Sequence, residues 1–286
     1  MDPRFSQFPR DLASRARSAR LGLAGVPTLL AHPDWEHPAP VMFWMHGRTV
    51  SKELDPGRYL RWIRAGIAAV SIDLPGHGER LIEDWQTPAR SLDVLEQAVE
   101  EVGGVLDALA AVEWGGVFDL SRVGIGGMSA GGMAALRRVC DPAPASVGAF
   151  RAVAVEGSTG WLEGLYAPDR AGLPRADRVF AEVSPDRLER LDPMRRLAGM
   201  PTVPMLVLHS EADRVVPWQG MAVFVERVRS AYRARGADPG LVRVRTWPET
   251  GAPQEHSGFG RFANDAKNLQ VEFLASCLGV GGTDGA

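Results

Sequence analysis

Short, uninterrupted apolar runs alternate along this chain with longer segments whose apolar residues recur at helical spacing. The runs predict strands over 21–31, 41–45, 66–73, 123–125, 150–155, 204–208 and 242–247. The periodic segments predict helices over 55–65, 91–112, 130–139, 219–235 and 261–278. Continuous apolar runs are typical of strands that are buried on both faces, as in a parallel sheet. The alternation therefore predicts an α/β fold, in which helices cover both faces of a mostly parallel sheet.

Two segments depart from this pattern. Residues 1–20 are rich in arginine and interrupted by Pro3 and Pro9, so we expect them to form an irregular or partly helical leader outside the folded domain. Between about 158 and 200, prolines and arginines break the periodicity. A stretch of this length is too long for a simple connection, and we expect a small helical cap. The sequence thus predicts one domain over 21–286 with the cap inserted at about 158–200.

The composition is that of an ordinary globular protein: of 286 residues, 45% are hydrophobic and 23% charged, and the formal net charge is −3. This balance gives no reason to expect nucleic acid or an anionic membrane as a partner. Cys140 and Cys277 form neither a disulfide framework nor a metal-ligand spacing, so no metal or cofactor is expected. No apolar run approaches the ~18 residues of a transmembrane helix, and the N-terminus lacks the apolar core of a signal peptide. We expect a cytoplasmic protein that is a monomer or a homodimer.

The pattern Gly-x-Ser-x-Gly occurs over residues 127–131, between a predicted strand and a predicted helix. Strand, sharp turn and helix form the setting of a nucleophile elbow, in which a serine hydroxyl is pushed out of the sheet. Gly127 and Gly131 leave room for close backbone packing at such a turn. The pattern also occurs by chance in flexible glycine loops, but its position here favours Ser129 as a catalytic nucleophile.

A serine hydroxyl is a poor nucleophile until a base accepts its proton and a third group orients that base. In hydrolases with a strand-turn-helix nucleophile, the order along the chain is serine, acid, histidine. Of the six histidines, only His209 and His256 follow Ser129. His209 ends a predicted strand, as a packed histidine often does, whereas His256 lies in a polar loop between the last strand and the last helix. Such a loop can bring an imidazole over the carboxyl edge of the sheet, so His256 is the predicted base.

Asp213 is the predicted acid of the triad. It lies in a turn after the strand over 204–208 and before His256, and a buried carboxylate there can fix the tautomer of the imidazole. Glu211 in the same loop and Glu156 at the end of the preceding strand are alternatives. An aspartate in this position can also serve only to stabilise its own turn.

An oxyanion hole requires backbone N–H groups directed at the carbonyl oxygen of the substrate. The N–H of Ala130, at the start of a helix, is the first predicted donor. The second should come from the loop after the strand over 41–45, and the N–H of Arg48 is the best candidate. His46 and Gly47 belong to the same loop, where His46 is expected to act as a brace. The Arg48 side chain can also contact a substrate carboxylate, although solvation is the more ordinary role of such an arginine.

Five ordered motifs together resemble the α/β-hydrolase superfamily. They are His46-Gly47, Asp73-Leu-Pro-Gly-His-Gly78, the elbow at 127–131, His209-x-x-x-Asp213-x-x-Val-Pro217 and His256. Their spacing is similar to that of the serine esterases that include dienelactone-hydrolase-like and prolyl-oligopeptidase-like catalytic domains. The resemblance covers residues 25–278 and implies a mostly parallel sheet of about eight strands, with Ser129, Asp213 and His256 as the triad. Dienelactone hydrolases themselves carry a cysteine in the place of Ser129.

These residues predict a carboxylic ester hydrolase that acts on small to medium substrates through an acyl-enzyme, with a small-molecule ester as its partner. Hydrolysis of peptides or amides, of thioesters and of carbon–carbon bonds uses the same triad, and these reactions remain alternatives. A non-catalytic binding protein is less expected, because all three triad positions are filled. The side chains predicted to line an apolar pocket are Met128, Trp161, Leu162, Leu165, Tyr166, Trp218 and Phe259.

Overall fold

The apolar runs form the strands of one sheet in the computed structural model, which describes residues 5–177 and 183–280. The strands are β1 Ala16–Leu21, β2 Val26–Ala31, β3 Ala39–Met45, β4 Ala68–Ile72, β5 Phe118–Met128, β6 Phe150–Glu156, β7 Met205–Ser210 and β8 Val242–Trp247. The helices are α1 Arg10–Ala13, α2 Pro56–Arg64, α3 Ser91–Leu109, α4 Ala130–Val139, α5 Leu162–Tyr166, α6 Pro168–Ala171, α7 Pro185–Leu191, α8 Trp218–Ala234 and α9 Ala263–Leu278. The predictions for residues 1–4, 178–182 and 281–286 lie outside the described residues.

The sheet is mostly parallel, as predicted, and its strand order is β1-β2-β4-β3-β5-β6-β7-β8. Only the pairs β1–β2 and β2–β4 are antiparallel. All pairs from β4 through β8 are parallel. The carboxyl ends of β3, β5, β6 and β7 therefore meet at one edge near the centre of the sheet. Ligands of open α/β sheets bind at this edge.

Helices cover both faces of the sheet. On one face α4 and α8 bury Met133 and Phe224, and on the other α2 and α9 bury Trp62 and Phe273. Every residue of β3 and β4 is buried, which explains why these strands read as continuous apolar runs. In the part of the chain that the structure describes, no helix combines the length and the apolar character needed to cross a membrane.

Residues 5–20 belong to the fold, so the prediction of a leader outside the domain was wrong for this stretch. Phe5 and Leu12 are buried in the core cluster beneath α2 and α9. The segment then enters the sheet as β1, an edge strand that pairs only with β2. A strand at the edge of a sheet carries polar residues on its solvent side, and in β1 these are Arg17 and Arg20. β1 therefore lacks the continuous apolar run by which the central strands are recognised.

The single strand predicted over 21–31 is in fact the end of β1 followed by β2. The chain reverses between them at a turn in which Gly22 and Gly25 have φ values of 69° and 59°. Glycine adopts this left-handed conformation without a steric penalty, which is why the turn falls here. Leu21 consequently lies opposite Val26 in the antiparallel register.

In its described residues, 158–177 and 183–200, the insertion predicted to form a cap carries the short helices α5, α6 and α7. The buried carboxylate of Asp192 joins its two ends, since it accepts hydrogen bonds from the N–H groups of Glu163 (2.9 Å) and Met194 (3.0 Å). Arg187 in α7 also pairs with Glu96 in α3 at 3.1 Å. The insertion is thereby tied to the helix that flanks the carboxyl edge of the sheet.

Candidate active site

Ser129 occupies a sharp turn between β5 and α4. Its backbone has φ 52° and ψ −120°, a conformation that is uncommon for any residue except glycine. The Ser129 N–H donates to the carbonyl of Glu156 at the end of β6, at 2.9 Å. The two flanking glycines are needed for space: a Cβ on Gly131 would lie 2.2 Å from the Met45 carbonyl oxygen, and one on Gly127 would lie 2.4 Å from the Gly131 carbonyl carbon. The turn is the strained elbow that the sequence predicts.

Replacing Gly131 with alanine should destabilise the protein by about 3 kcal/mol or more, because the new methyl group would collide with backbone that cannot move aside. The free energy of unfolding in urea measures this cost. Gly103→Ala is the matched control, since a Cβ there would have only ordinary contacts of 3.9 Å and beyond. In the middle of α3, that change should raise stability by about 0.5–1 kcal/mol. Equal effects of the two substitutions would contradict this view of the elbow.

The three residues predicted to form a triad lie in one hydrogen-bonded chain at the carboxyl edge. The Ser129 hydroxyl donates to His256 Nε2 at 2.9 Å, and His256 Nδ1–H donates to Asp213 Oδ2 at 2.7 Å. His256 and Asp213 are both buried. This arrangement places the imidazole proton on Nδ1 and leaves Nε2 to accept the serine proton, as a general base must.

Asp213 is held on both of its oxygens. Oδ1 accepts hydrogen bonds from the N–H groups of Val215 and Val216, each at 2.8 Å, while Oδ2 faces His256. His209 Nε2 lies 3.4 Å from the same Oδ2. Burial alone would raise the pKa of Asp213, but the contacts with His209 and His256 outweigh it and hold that pKa below its ordinary value. The carboxylate is therefore ionised when it faces the imidazole.

The alternatives left open by the sequence are engaged elsewhere. Both Glu156 oxygens bind the guanidinium of Arg58, at 2.6 and 2.8 Å, in a buried ion pair. Glu211 accepts a hydrogen bond from the Thr246 hydroxyl at 2.6 Å. His209 Nε2–H donates to the Val216 carbonyl at 2.8 Å, as befits a packed histidine. The geometry thus brings only Asp213, of the three candidate acids, against His256.

The loop 46–48 lies directly beside the serine, since a Cβ on Gly47 would come within 3.5 Å of Ser129 Cβ. His46 holds this loop in place: its Nδ1–H donates to the Gly47 carbonyl at 2.6 Å, and its Nε2 accepts from the Leu74 N–H at 3.0 Å. Burial lowers the pKa of His46 to about 4, so the ring is neutral and can form both bonds. Across the serine, Ala130 is the first residue of α4, and its N–H lies outside the helical hydrogen-bond ladder.

A small cavity with a volume of about 30 Å³ opens onto the serine. Among the described residues, its lining consists of Arg48, Ser91, Leu95, Ser129, Ala130, Met133, Tyr166, Val215 and Val216. Tyr166 is the one predicted pocket residue in this set, and its hydroxyl lies 2.7 Å from that of Ser91. The Arg48 guanidinium donates to the Gln86 carbonyl at the cavity wall.

The other six predicted pocket residues lie outside the described lining of this cavity. Met128 and Phe259 pack on the opposite face of the sheet, with the Phe259 ring 5.0 Å from that of Trp247. Trp218 packs on His209, and Leu165 lines a smaller neighbouring cavity. Leu162 and Trp161 pack against the main core. Aromatic and aliphatic residues in an irregular segment fill the core more often than a binding site.

Four residues that the sequence did not indicate support the triad. Ser158 Oγ donates to the Ser129 carbonyl at 3.0 Å. Ser210 and Thr250 donate through their hydroxyls to the carboxylate of Glu255, the residue that immediately precedes His256. Adjacency to the predicted base was the only feature that could have drawn attention to Glu255.

The sheet and the hydrogen-bonded chain Ser129–His256–Asp213 define a serine hydrolase with an α/β-hydrolase fold. The sequence model of the prolyl oligopeptidase family matches residues 59–280. The chain therefore belongs to the prolyl oligopeptidase family. None of the curated proteins matches its sequence at a significant level.

Solved structures with the same fold cover almost the whole chain. TT1662 from Thermus thermophilus is 22% identical with a TM-score of 0.64, over 92% of this chain and 98% of that protein. A puromycin-hydrolyzing peptidase of Mycobacterium tuberculosis is 19% identical, with a TM-score of 0.65 over 93% of this chain. An acylaminoacyl peptidase of Pyrococcus horikoshii is 16% identical, with a TM-score of 0.68 over 95%. The chain spans only 40% and 42% of the two peptidases, and at these identities the likeness shows the fold alone.

Proposed function

We propose that this protein hydrolyses amide bonds in small, peptide-like substrates through an acyl-enzyme. The observation that carries the proposal is the Ser129–His256–Asp213 chain in a member of the prolyl oligopeptidase family. Two structural neighbours are described as peptidases, which supports cleavage of a peptide bond over the ester hydrolysis favoured by the sequence.

The geometry supports a two-step reaction. Ser129 Oγ attacks the substrate carbonyl carbon while His256 Nε2 accepts the hydroxyl proton, and Asp213 stabilises the resulting imidazolium. The oxyanion is stabilised by the N–H groups of Ala130 and Arg48. His256 then donates its proton to the leaving nitrogen as the C–N bond breaks, and an acyl group stays on Ser129. A water molecule, deprotonated by His256, attacks the acyl carbonyl and releases the acid.

The cavity next to the serine supports a substrate with a short apolar group beside the scissile carbonyl. Leu95, Met133, Val215 and Val216 provide its apolar walls. The enclosed space is only about 30 Å³, far below the roughly 300–1,000 Å³ of pockets that hold drug-sized ligands. A compact aliphatic side chain fits these walls better than a long acyl chain.

The test is a comparison of matched substrates with one short acyl group and three leaving groups: an anilide, a p-nitrophenyl ester and a thioester. We expect anilide hydrolysis well above the background set by the Ser129→Ala variant, and faster ester hydrolysis, because an ester is the more reactive acyl donor. Turnover of the ester with no anilide hydrolysis above that background would reject the amide proposal and favour the carboxylesterase. Preference for the thioester over the ester would favour a thioesterase. No turnover of any substrate would favour a carbon–carbon hydrolase or a binding protein.

A further inference from the structure

The loop that carries His256 has a strained backbone. Gln254 and Glu255, two consecutive residues other than glycine, both have φ values of 55°. Each such conformation costs of the order of 1 kcal/mol and persists only where surrounding contacts impose it. The contacts that impose this conformation on Gln254 and Glu255 also fix the position of the next residue, His256.

The carboxylate of Glu255 supplies those contacts. Its Oε2 accepts hydrogen bonds from the Ser210 hydroxyl at 2.8 Å, from the Thr250 N–H at 2.6 Å and from the Thr250 hydroxyl at 2.7 Å. Its Oε1 accepts a fourth, from the N–H of Gly251 at 2.7 Å. A carboxylate is the one side-chain group that can accept so many hydrogen bonds while it donates none. The site is built for an anion, and Glu255 itself is that anion.

These bonds connect the base to the acid. Ser210 is the last residue of β7 and starts the turn that contains Asp213, while Thr250 starts the loop that contains His256. A second link runs in parallel, because the Arg214 N–H donates to the Gln254 carbonyl at 3.2 Å. The relative position of the two loops is therefore set by Glu255 and its neighbours. None of the residues in these bonds belongs to the described lining of the substrate cavity.

The charge of Glu255 persists at the pH of any ordinary assay. Burial would raise its pKa, but the hydrogen bonds from Thr250, Ser210 and Gly251 outweigh this and lower the pKa to about 2. Hydrogen bonds to an ionised acceptor are roughly twice as strong as those between neutral groups. Substitution by glutamine keeps the size of the side chain but replaces one acceptor oxygen with an NH₂ donor. That donor would face the N–H of Thr250 or of Gly251, neither of which can accept a hydrogen bond.

We propose that Glu255 is a positioning residue that holds His256 in line between Asp213 and Ser129. It touches no reacting atom, and it acts by fixing the loop whose next residue is the base. The inference rests on the proposed function for its catalytic consequence. A displacement of about 1 Å in a catalytic group can cost a factor of 10² in rate. Greater mobility of the loop that carries His256 would therefore be sufficient to impair the triad.

The experiment compares Glu255→Gln with Glu249→Gln, the same change at an exposed position of the same loop. The rate constant for labelling of Ser129 by a fluorophosphonate reports the triad without any assumption about the natural substrate. We expect Glu255→Gln to lower it roughly 10–100-fold, and Glu249→Gln to leave it unchanged. With a turned-over substrate, kcat should fall while KM changes little, because the substrate cavity is not altered. The folded fraction is measured on the same samples by circular dichroism, because loss of folded protein would also lower the apparent kcat at constant KM.

A second measurement makes the outcome independent of the proposed function. In the wild-type protein the His256 Nδ1 proton, held against Asp213, should give a low-field NMR resonance, which Glu255→Gln should broaden or remove. If wild-type Ser129 is not labelled, the proposed function fails, and this resonance still decides the role of Glu255. If Glu255→Gln does not fold, Ser210→Ala removes one of the four hydrogen bonds and should slow labelling several-fold. A folded Glu255→Gln protein that keeps both the resonance and the wild-type labelling rate would overturn the inference.

Discussion

Replacing Ser129 with alanine is expected to lower kcat on any amide or ester substrate by the order of 10⁵–10⁶-fold, to the residual level supplied by the oxyanion hole and binding. The Ser129 Oγ atom attacks the substrate carbonyl, and it also forms the hydrogen bond through which His256 Nε2 accepts the proton. Alanine has no atom that can do either. Initial rates with the anilide and ester substrates measure the loss.

The alanine variant should fold like the wild type. The Ser129 N–H bond to the Glu156 carbonyl involves the backbone alone, and alanine has no greater difficulty than serine at a φ of 52°. Circular dichroism and the unfolding midpoint therefore serve as the control. A folded Ser129→Ala protein that keeps a substantial fraction of the wild-type kcat would contradict the assignment of the nucleophile.

Replacing Asp213 with asparagine is expected to lower kcat by roughly 10³–10⁴-fold with little change in the fold. Oδ1 of Asp213 faces two backbone donors, the N–H groups of Val215 and Val216. An asparagine must keep its carbonyl oxygen there, so its NH₂ group faces His256. The imidazole then carries its proton on Nε2, where it can no longer accept the proton of Ser129. The loss should appear in kcat at every pH at which the protein is folded.

Glu211→Gln is the matched control for Asp213→Asn, because it makes the same chemical change in the same loop. Glu211 is exposed and bonds to Thr246, away from His256. Its substitution should leave kcat close to that of the wild type. If Asp213→Asn retained activity within about tenfold of the wild type, or if Glu211→Gln were equally impaired, Asp213 would not be the acid of the triad.

The central sheet could be predicted from the sequence because its strands are buried on both faces. In β3 and β4 every side chain contacts the core, so each must be compatible with it, and the apolar run is the direct record of that burial. β1 has no such apolar run. Its single partner is β2, and its exposed positions carry Arg17 and Arg20, which no pattern of hydrophobicity distinguishes from an irregular leader.

Some residues of the site could likewise be predicted from the sequence, and others could not. Ser129 could be predicted because the nucleophile elbow has a strict local sequence pattern. His256 could be predicted because only two of the six histidines follow Ser129 in the chain. Asp213 was also the predicted acid, but the exclusion of Glu156 required the structure, since only tertiary contacts show that Glu156 is bound to Arg58. The lining of the cavity also depends on long-range packing: of the predicted pocket residues, Tyr166 lies in the described lining and the other six do not.

The most direct test of the central claim is to locate the site of covalent modification by mass spectrometry after the wild-type protein has reacted with a fluorophosphonate. An activated serine attacks this reagent at phosphorus through the same hydroxyl that attacks a carbonyl. We predict one adduct per chain, on the peptide that contains Ser129, and no adduct in Ser129→Ala under the same conditions. An adduct on a different residue, or equal labelling of Ser129→Ala, would contradict the claim that Ser129, His256 and Asp213 form the catalytic apparatus of this protein.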